Sequence, residues 1–167
     1  MKDSDSAVRP AAESDAARVA EIFNQAVEER VATFETRPAT ADDAKRWVAE
    51  DVVVVLEGPD GVVAWAKAGP YVDAHHYYDG VREATLYVSR EARGQGAGRV
   101  LLDELAEAAR AAGAHKLVGK IFTSNTPSIA LVEGLGWRRV GVHERHGTLD
   151  GEWKDVLVVE KQLDSGD

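Results

Sequence analysis

Apolar positions recur along this chain with two periods, and the switches between them mark its elements. Ala7 to Pro10 is a short extended run. From Asp15 to about Glu28 the spacing is helical, with Val19, Ile22, Phe23 and Ala26 on one face and Ser14 placed to cap the start. Thr40-Ala41-Asp42-Asp43 opens a second helix, to about Glu50, with an acidic first turn. Val52 to Glu57 is a continuous apolar strand, Gly58-Pro59-Asp60-Gly61 a turn, and Val62 to Tyr71 the returning strand. A loop rich in His and Tyr follows, Val72 to Val81, then a strand from Arg82 to Val88. After a glycine-rich stretch, a helix from about Gly96 to Ala112 carries the stripe Leu101, Leu105, Ala108 and Ala112, and Gly113 stops it. Lys116 to Thr123 is a strand, and Pro127 to Glu133 a short helix ended by Gly134. Trp137 to His146 and Trp153 to Leu163 form a last hairpin around Leu149-Asp150-Gly151. The ends, Met1 to Ser6 and Asp164 to Asp167, read as frayed.

This order predicts an α+β protein with a mixed, mostly antiparallel central sheet flanked by helices. The 167 residues suit one domain spanning the chain, with its core at about residues 7 to 163. A formal charge of −9 argues against nucleic acid and against anionic membrane surfaces, since both are bound through Lys and Arg. With no cysteine there is no disulfide, thiolate metal site or thiol nucleophile. No leader-like segment and no run near the roughly 18 apolar residues of a membrane span is present, so a cytoplasmic protein is expected. Metal binding is not expected. His75 and His76 are adjacent, and His143 and His146 fall on opposite faces of a predicted strand.

The chemistry is concentrated in Arg93-Gly94-Gln95-Gly96-Ala97-Gly98, which sits between a strand and a helix. Glycine allows positive φ and close approach of a ligand to the backbone. The first-turn N–H groups and the helix dipole then favour an anion, and Arg90, Arg93 and Arg99 surround the loop. A Walker loop would place Lys and Ser or Thr after the last glycine, where this chain has Arg99 and Val100. A dinucleotide fingerprint would place the third glycine one residue later. Taken alone, the pattern is also compatible with a glycine-rich turn that binds nothing.

Arg93-x-x-Gly96-x-Gly98 resembles the signature of the GNAT acetyltransferases. Asn125-Thr126-Pro127-Ser128 and Glu133-Gly134-Leu135-Gly136-Trp137 resemble a second segment of that superfamily. Ile22-Phe23-Asn24 with Phe34, Ala68-Gly69-Pro70-Tyr71, Glu83-Ala84-Thr85-Leu86-Tyr87-Val88-Ser89 and Gly151-Glu152-Trp153-Lys154-Asp155-Val156 are similar to its phosphinothricin and methionine sulfone (sulfoximine) acetyltransferase subgroup. The resemblance implies the GNAT fold, acetyl-CoA as donor, a small-molecule amine as acceptor, and a homodimer.

It also implies roles for residues. Glu83 becomes the general base, acting through water; its bland alternative is a solvent-facing strand residue or a partner of Arg82. Backbone groups of Leu86, Tyr87 and Val88 would meet the cofactor arm. The segment from Arg93 through Gly94, Gln95, Gly96 and Ala97 to Gly98 would hold its diphosphate. Asn125 and Ser128 would lie beside the arm, with Asn125 also near the acceptor; a helix cap is the other reading of Asn125. Phe34, Arg37 and Tyr78 would line the acceptor pocket, Arg37 facing a carboxylate; the other readings are Phe34 as core, Arg37 as a surface charge and Tyr78 as loop packing. Strand alternation sets Glu83, Thr85 and Tyr87 on one face and Ala84, Leu86 and Val88 on the other.

Two departures stand out. Val132 occupies the place where many GNAT enzymes carry Tyr, and related phosphinothricin enzymes His, to protonate the leaving thiolate. Val72 and Ala74 stand where phosphinothricin enzymes have a basic pair. The acceptor is therefore read as an amino acid or amino-acid analogue. A protein or peptide N-terminal acetyltransferase, or a non-catalytic acyl-CoA-binding module, remain the alternatives.

Overall fold

The computed structural model describes residues 7–71 and 76–163. Its elements run β1 (Val8–Pro10), α1 (Ala16–Glu29), α2 (Ala41–Glu50), β2 (Val52–Gly58), β3 (Gly61–Pro70), β4 (Val81–Val88), α3 (Ala97–Ala111), β5 (Lys116–Phe122), α4 (Thr126–Gly134), β6 (Arg138–Leu149) and β7 (Glu152–Gln162). The strands form one seven-stranded sheet in the order β1-β2-β3-β4-β5-β7-β6. Every neighbouring pair is antiparallel except β4 and β5. The expected α+β class and mixed sheet are what the chain adopts.

Alternation along the central strands sends residues to two separate cores. On one side, Ala64, Ala66 and Ala68 of β3 lie under Leu101, Leu102, Leu105 and Ala109 of α3. Three small side chains in register let the helix approach closely. On the other side, Trp65 joins Val53 and Val55 beneath α1 and α2. Phe23, Trp47, Trp65 and Tyr87 meet there with ring centroids 5.0–5.6 Å apart. Leu101 and Leu105 are completely buried, a gain of about 1.5–3 kcal/mol each.

Local signals decide most boundaries. Thr40 and Asp43 close a reciprocal capping box at α2: Thr40 Oγ1 accepts from the Asp43 N–H at 3.2 Å, and Asp43 Oδ2 from the Thr40 N–H at 2.9 Å. The β6–β7 turn is Asp150-Gly151, both with positive φ (51° and 79°), as a two-residue hairpin requires.

Three expectations are corrected. Ser14 is not a cap; a 3₁₀ turn over Glu13–Asp15 precedes α1, and Asp15, held by Arg9 at 2.8 Å, accepts from the Ala12 N–H instead. The buried face of α3 is Ala97, Leu101, Leu102, Leu105, Ala106 and Ala109, while Ala112 is exposed, because the helix ends at Ala111. His143 and His146 do not point apart: their rings stack at 4.2 Å. A register shift between His143 and Gly147, with Arg145 at φ 47°, breaks the two-residue alternation. The frayed ends and the start of the His- and Tyr-rich loop, including His75, lie outside the described residues. Among the described residues no helix is long and apolar enough to cross a membrane.

Candidate active site

The site begins where the sheet opens. β4 and β5 pair only from Val81, Arg82 and Glu83 to Lys116, Leu117 and Val118. β4 then continues along β3 to Val88, and β5 along β7 to Phe122. Each strand stays with its antiparallel neighbour, so the two separate past Glu83. Thr85, Leu86, Lys120, Asn125, Leu131 and Val132 are among the residues lining the resulting cleft.

A longer groove continues from the cleft over the glycine loop, with a volume of about 540 Å³. That is within the range of small-ligand sites. Gly94 and Gly96 take φ of +74° and +84°, and a Cβ on either would meet nothing within 4 Å. The loop's conformation therefore needs glycine, and it leaves space on the groove side. Gly98 serves differently: a Cβ there would come within 2.7 Å of Leu131 Cδ2 and 3.1 Å of Leu86 Cδ2, so it lets α3 close on α4 and β4. Gly96 caps α3, whose first return bond is Val100 N–H to Gly96 O (3.4 Å). The N–H groups of Ala97, Gly98 and Arg99 precede that bond and are left for a ligand.

The arginines divide. Arg93 forms a two-pronged pair with Glu29 (2.6 and 2.8 Å) and also donates to Val88 O (3.2 Å). Arg90 reaches Glu28 and Glu29, and its N–H donates to Gln25 Oε1. Arg93 first, and Arg90 second, hold the Glu29 carboxyl below the usual carboxylate range. Both guanidiniums thus fasten the loop to the end of α1. Arg99 lines the groove and has no acidic partner among the described residues. Gln95 turns back to donate to Glu91 O at 3.2 Å.

Asn125 caps α4, one of the two readings made of it. Its Oδ1 accepts from the Ser128 N–H (3.4 Å) at the start of α4, and Asn125 and Ser128 line both cleft and groove. Val132 is buried among the core residues under α3.

Glu83 lies on the opposite face of the sheet from α3, with Thr85 and Tyr87, as alternation predicts. It sits on a central strand and pairs with Lys120 (Oε2 to Nζ, 3.2 Å), not with Arg82. The Thr85 hydroxyl is buried with no hydrogen-bond partner among the described residues. The Tyr87 hydroxyl is pushed up to about 12, chiefly by burial, with Glu83 and Glu35 adding and a hydrogen bond to Thr33 opposing. It is therefore neutral at physiological pH. Phe34 packs edge-on to Phe122 at 4.7 Å and is 39% exposed; Tyr78 packs edge-on to Tyr71 at 6.1 Å. Arg37 is exposed, with no ion pair among the described residues.

Tyr71 enters the sequence reading only within Ala68-Gly69-Pro70-Tyr71, and Lys120 only within a strand. Lys120 had a readable signal: it is the charged residue inside the apolar run Leu117-Val118-Gly119-Lys120-Ile121-Phe122. No group of three or more metal-ligating side chains occurs among the described residues.

The acetyltransferase (GNAT) family matches residues 18–137, and the chain belongs to that family. It is 34% identical over 153 residues to a phosphinothricin N-acetyltransferase of Streptomyces viridochromogenes, covering 89% of this chain and 83% of that one. It is 32% identical to an L-methionine sulfoximine/L-methionine sulfone acetyltransferase of Salmonella typhimurium, over 94% of each chain. A Salmonella typhimurium acetyltransferase solved with its cofactor acetyl-CoA superposes with a TM-score of 0.90 at 29% identity, covering 96% of this chain and 95% of that one. This chain is accordingly an N-acetyltransferase, and acetyl-CoA is the donor held by that solved relative. The residues present fit that donor: an open, positive-φ glycine loop at a helix start can take a diphosphate, and the unladdered stretch between β4 and β5 can take an extended arm.

Proposed function

We propose that the chain works as one domain, in the cytoplasm, transferring acetyl from acetyl-CoA to the primary amine of a small amino acid or amino-acid analogue. The observation that carries this reading is the opening of the sheet just past Glu83, into a cleft lined by Lys120, the ion-pair partner of that carboxylate. The family's named relatives act on phosphinothricin and on methionine sulfone or sulfoximine, and that supports the acceptor class.

Bound acetyl-CoA supplies the acetyl group as a thioester, which the acceptor amine attacks to give an amide and a free thiol. Glu83 takes the proton the amine must lose, through a water. The N–H groups of Ala97, Gly98 and Arg99 hold the diphosphate, with Gly94 and Gly96 keeping the approach clear. Arg93 acts through Glu29 by fixing the loop. Leu86, Tyr87 and Val88 present backbone groups along the arm, and Asn125 and Ser128 form its far wall. Phe34 and Tyr78 flank the acceptor. Val132 has no proton to give, so the thiolate leaves unaided or takes a proton from water. A homodimer through the β6–β7 hairpin is part of the same reading; the exposed Val140, Val142 and Trp153 support it.

The test is thiol release from acetyl-CoA with a panel of amino acids, methionine sulfone, methionine sulfoximine and phosphinothricin. Turnover with at least one is expected. Tight acetyl-CoA binding with no turnover on any amine would leave only a binding module. Light scattering at micromolar protein should give twice the chain mass; a monomer would remove the dimer.

A further inference from the structure

Lys120 is the feature of the site that the chemistry above leaves unused. Val118 stands opposite Glu83 in the parallel register, so alternation sets Lys120, two residues on, on the face that carries Glu83. Its ammonium lies 3.2 Å from Glu83 Oε2 and 6.0 Å from the centre of the Tyr71 ring. The two side chains are only 35% and 25% exposed, so neither charge is fully hydrated.

Glu83 and Lys120 are a minus and a plus charge side by side at the mouth of the cleft. The zwitterion of an α-amino acid carries the same two charges on groups joined through one carbon. When its ammonium approaches Glu83, its carboxylate falls next to Lys120. One ion pair within the protein is exchanged for two with the ligand, and no charge is left alone. A plain amine also separates Glu83 from Lys120, but it leaves that ammonium unpaired in a partly desolvated place. Arg37 offers no comparable arrangement, since it has no carboxylate beside it and does not line the cleft.

We propose that Lys120 is a specificity-determining residue that reads the carboxylate of an α-amino acid acceptor, using the opposed charges of the Glu83–Lys120 pair as a zwitterion template. This rests on the acceptor site proposed above and assigns the group that selects within it.

Binding and turnover separate the two claims. L-methionine sulfone, L-phosphinothricin and their decarboxylated amines are titrated calorimetrically into the coenzyme A-saturated protein, as wild type, Lys120→Met and Lys120→Arg. The wild type should bind at least one amino acid about tenfold or more tighter than its decarboxylated amine, the scale of one hydrogen bond to a charged group. Lys120→Met should erase that preference, weakening the amino acid while the plain amine, which no longer has to displace Lys120 from Glu83, binds as well or better, and Lys120→Arg should keep most of it. In steady-state kinetics with an accepted amino acid, the Met variant should raise KM more than it lowers kcat. Equal weakening of amino acid and plain amine would overturn the proposal, because Lys120 would then act only through Glu83 or the fold. So would a wild type with no preference, or one that binds no amino acid of the panel. A preference that disappears in the Met variant, without thiol release by the wild type, would leave Lys120's role standing and remove the transferase reading. Turnover without carboxylate preference would do the reverse.

Discussion

On the function proposed above, the donor half and the acceptor half of this site are built from different materials. The donor half is backbone: glycines at positive φ, the N–H groups that open α3, and two arginines spent on fastening the loop to α1. The acceptor half is side chain: Glu83 from β4, Lys120 from β5, Phe34 from the segment between α1 and α2, and Tyr78 from the stretch before β4. A backbone site depends on conformation and tolerates many side chains around it. A side-chain site changes its ligand with one substitution. One donor can thus be kept across a family while acceptors vary, and the donor groove and the acceptor cleft should respond to mutation in separable ways.

The largest expected effect breaks the acceptor half alone. Glu83→Gln should lower kcat by about 10²–10⁴, the usual worth of a general base, while calorimetry finds acetyl-CoA affinity unchanged. A kcat near wild type at neutral pH would take Glu83 out of that role. Gly96→Val should do the opposite. A β-branched residue at φ +84° costs about 1–2 kcal/mol or more and would reshape a loop that lines the groove, so acetyl-CoA should bind about tenfold or more weakly. Retained affinity would mean the groove does not follow the loop.

Gly98→Ala probes packing between the halves. The new Cβ would press on Leu131 and Leu86, a cost of about 1–3 kcal/mol seen as a lower Tm. An unchanged Tm would show that those leucines move freely.

Glu29→Gln should be the mildest, weakening acetyl-CoA by about two- to fivefold, because it only loosens Arg93 and Arg90. The sign of its pH dependence follows from the depressed carboxyl. The stability that Glu29 contributes is full above its ordinary value of 4.5 and is lost as pH falls through the lower folded value. Urea titrations of wild type and variant should differ at neutral pH and converge in acid. A difference that grew on acidification would contradict the pair.

What the sequence alone determined is what is written locally. Apolar periodicity located the helices and the strands, because burial on one face needs only a repeat of a few residues. The glycine loop was legible for the same reason: strand, positive-φ glycines and helix start are contiguous. Glu83 and Asn125 were reached through family resemblance, at positions next to those local signals. Tertiary structure decided whatever depends on distant partners. Glu83 and Lys120 are 37 residues apart, and Arg93 and Glu29 are 64. No local pattern reveals that the Arg93 guanidinium is taken by Glu29 or that the Lys120 ammonium lies beside Glu83. The stacked His143 and His146 needed the bulge that breaks alternation, and the cleft itself exists because β4 and β5 each follow another neighbour. Charge pairs and strand divergence are set by where the chain returns, and only the assembled sheet specifies that.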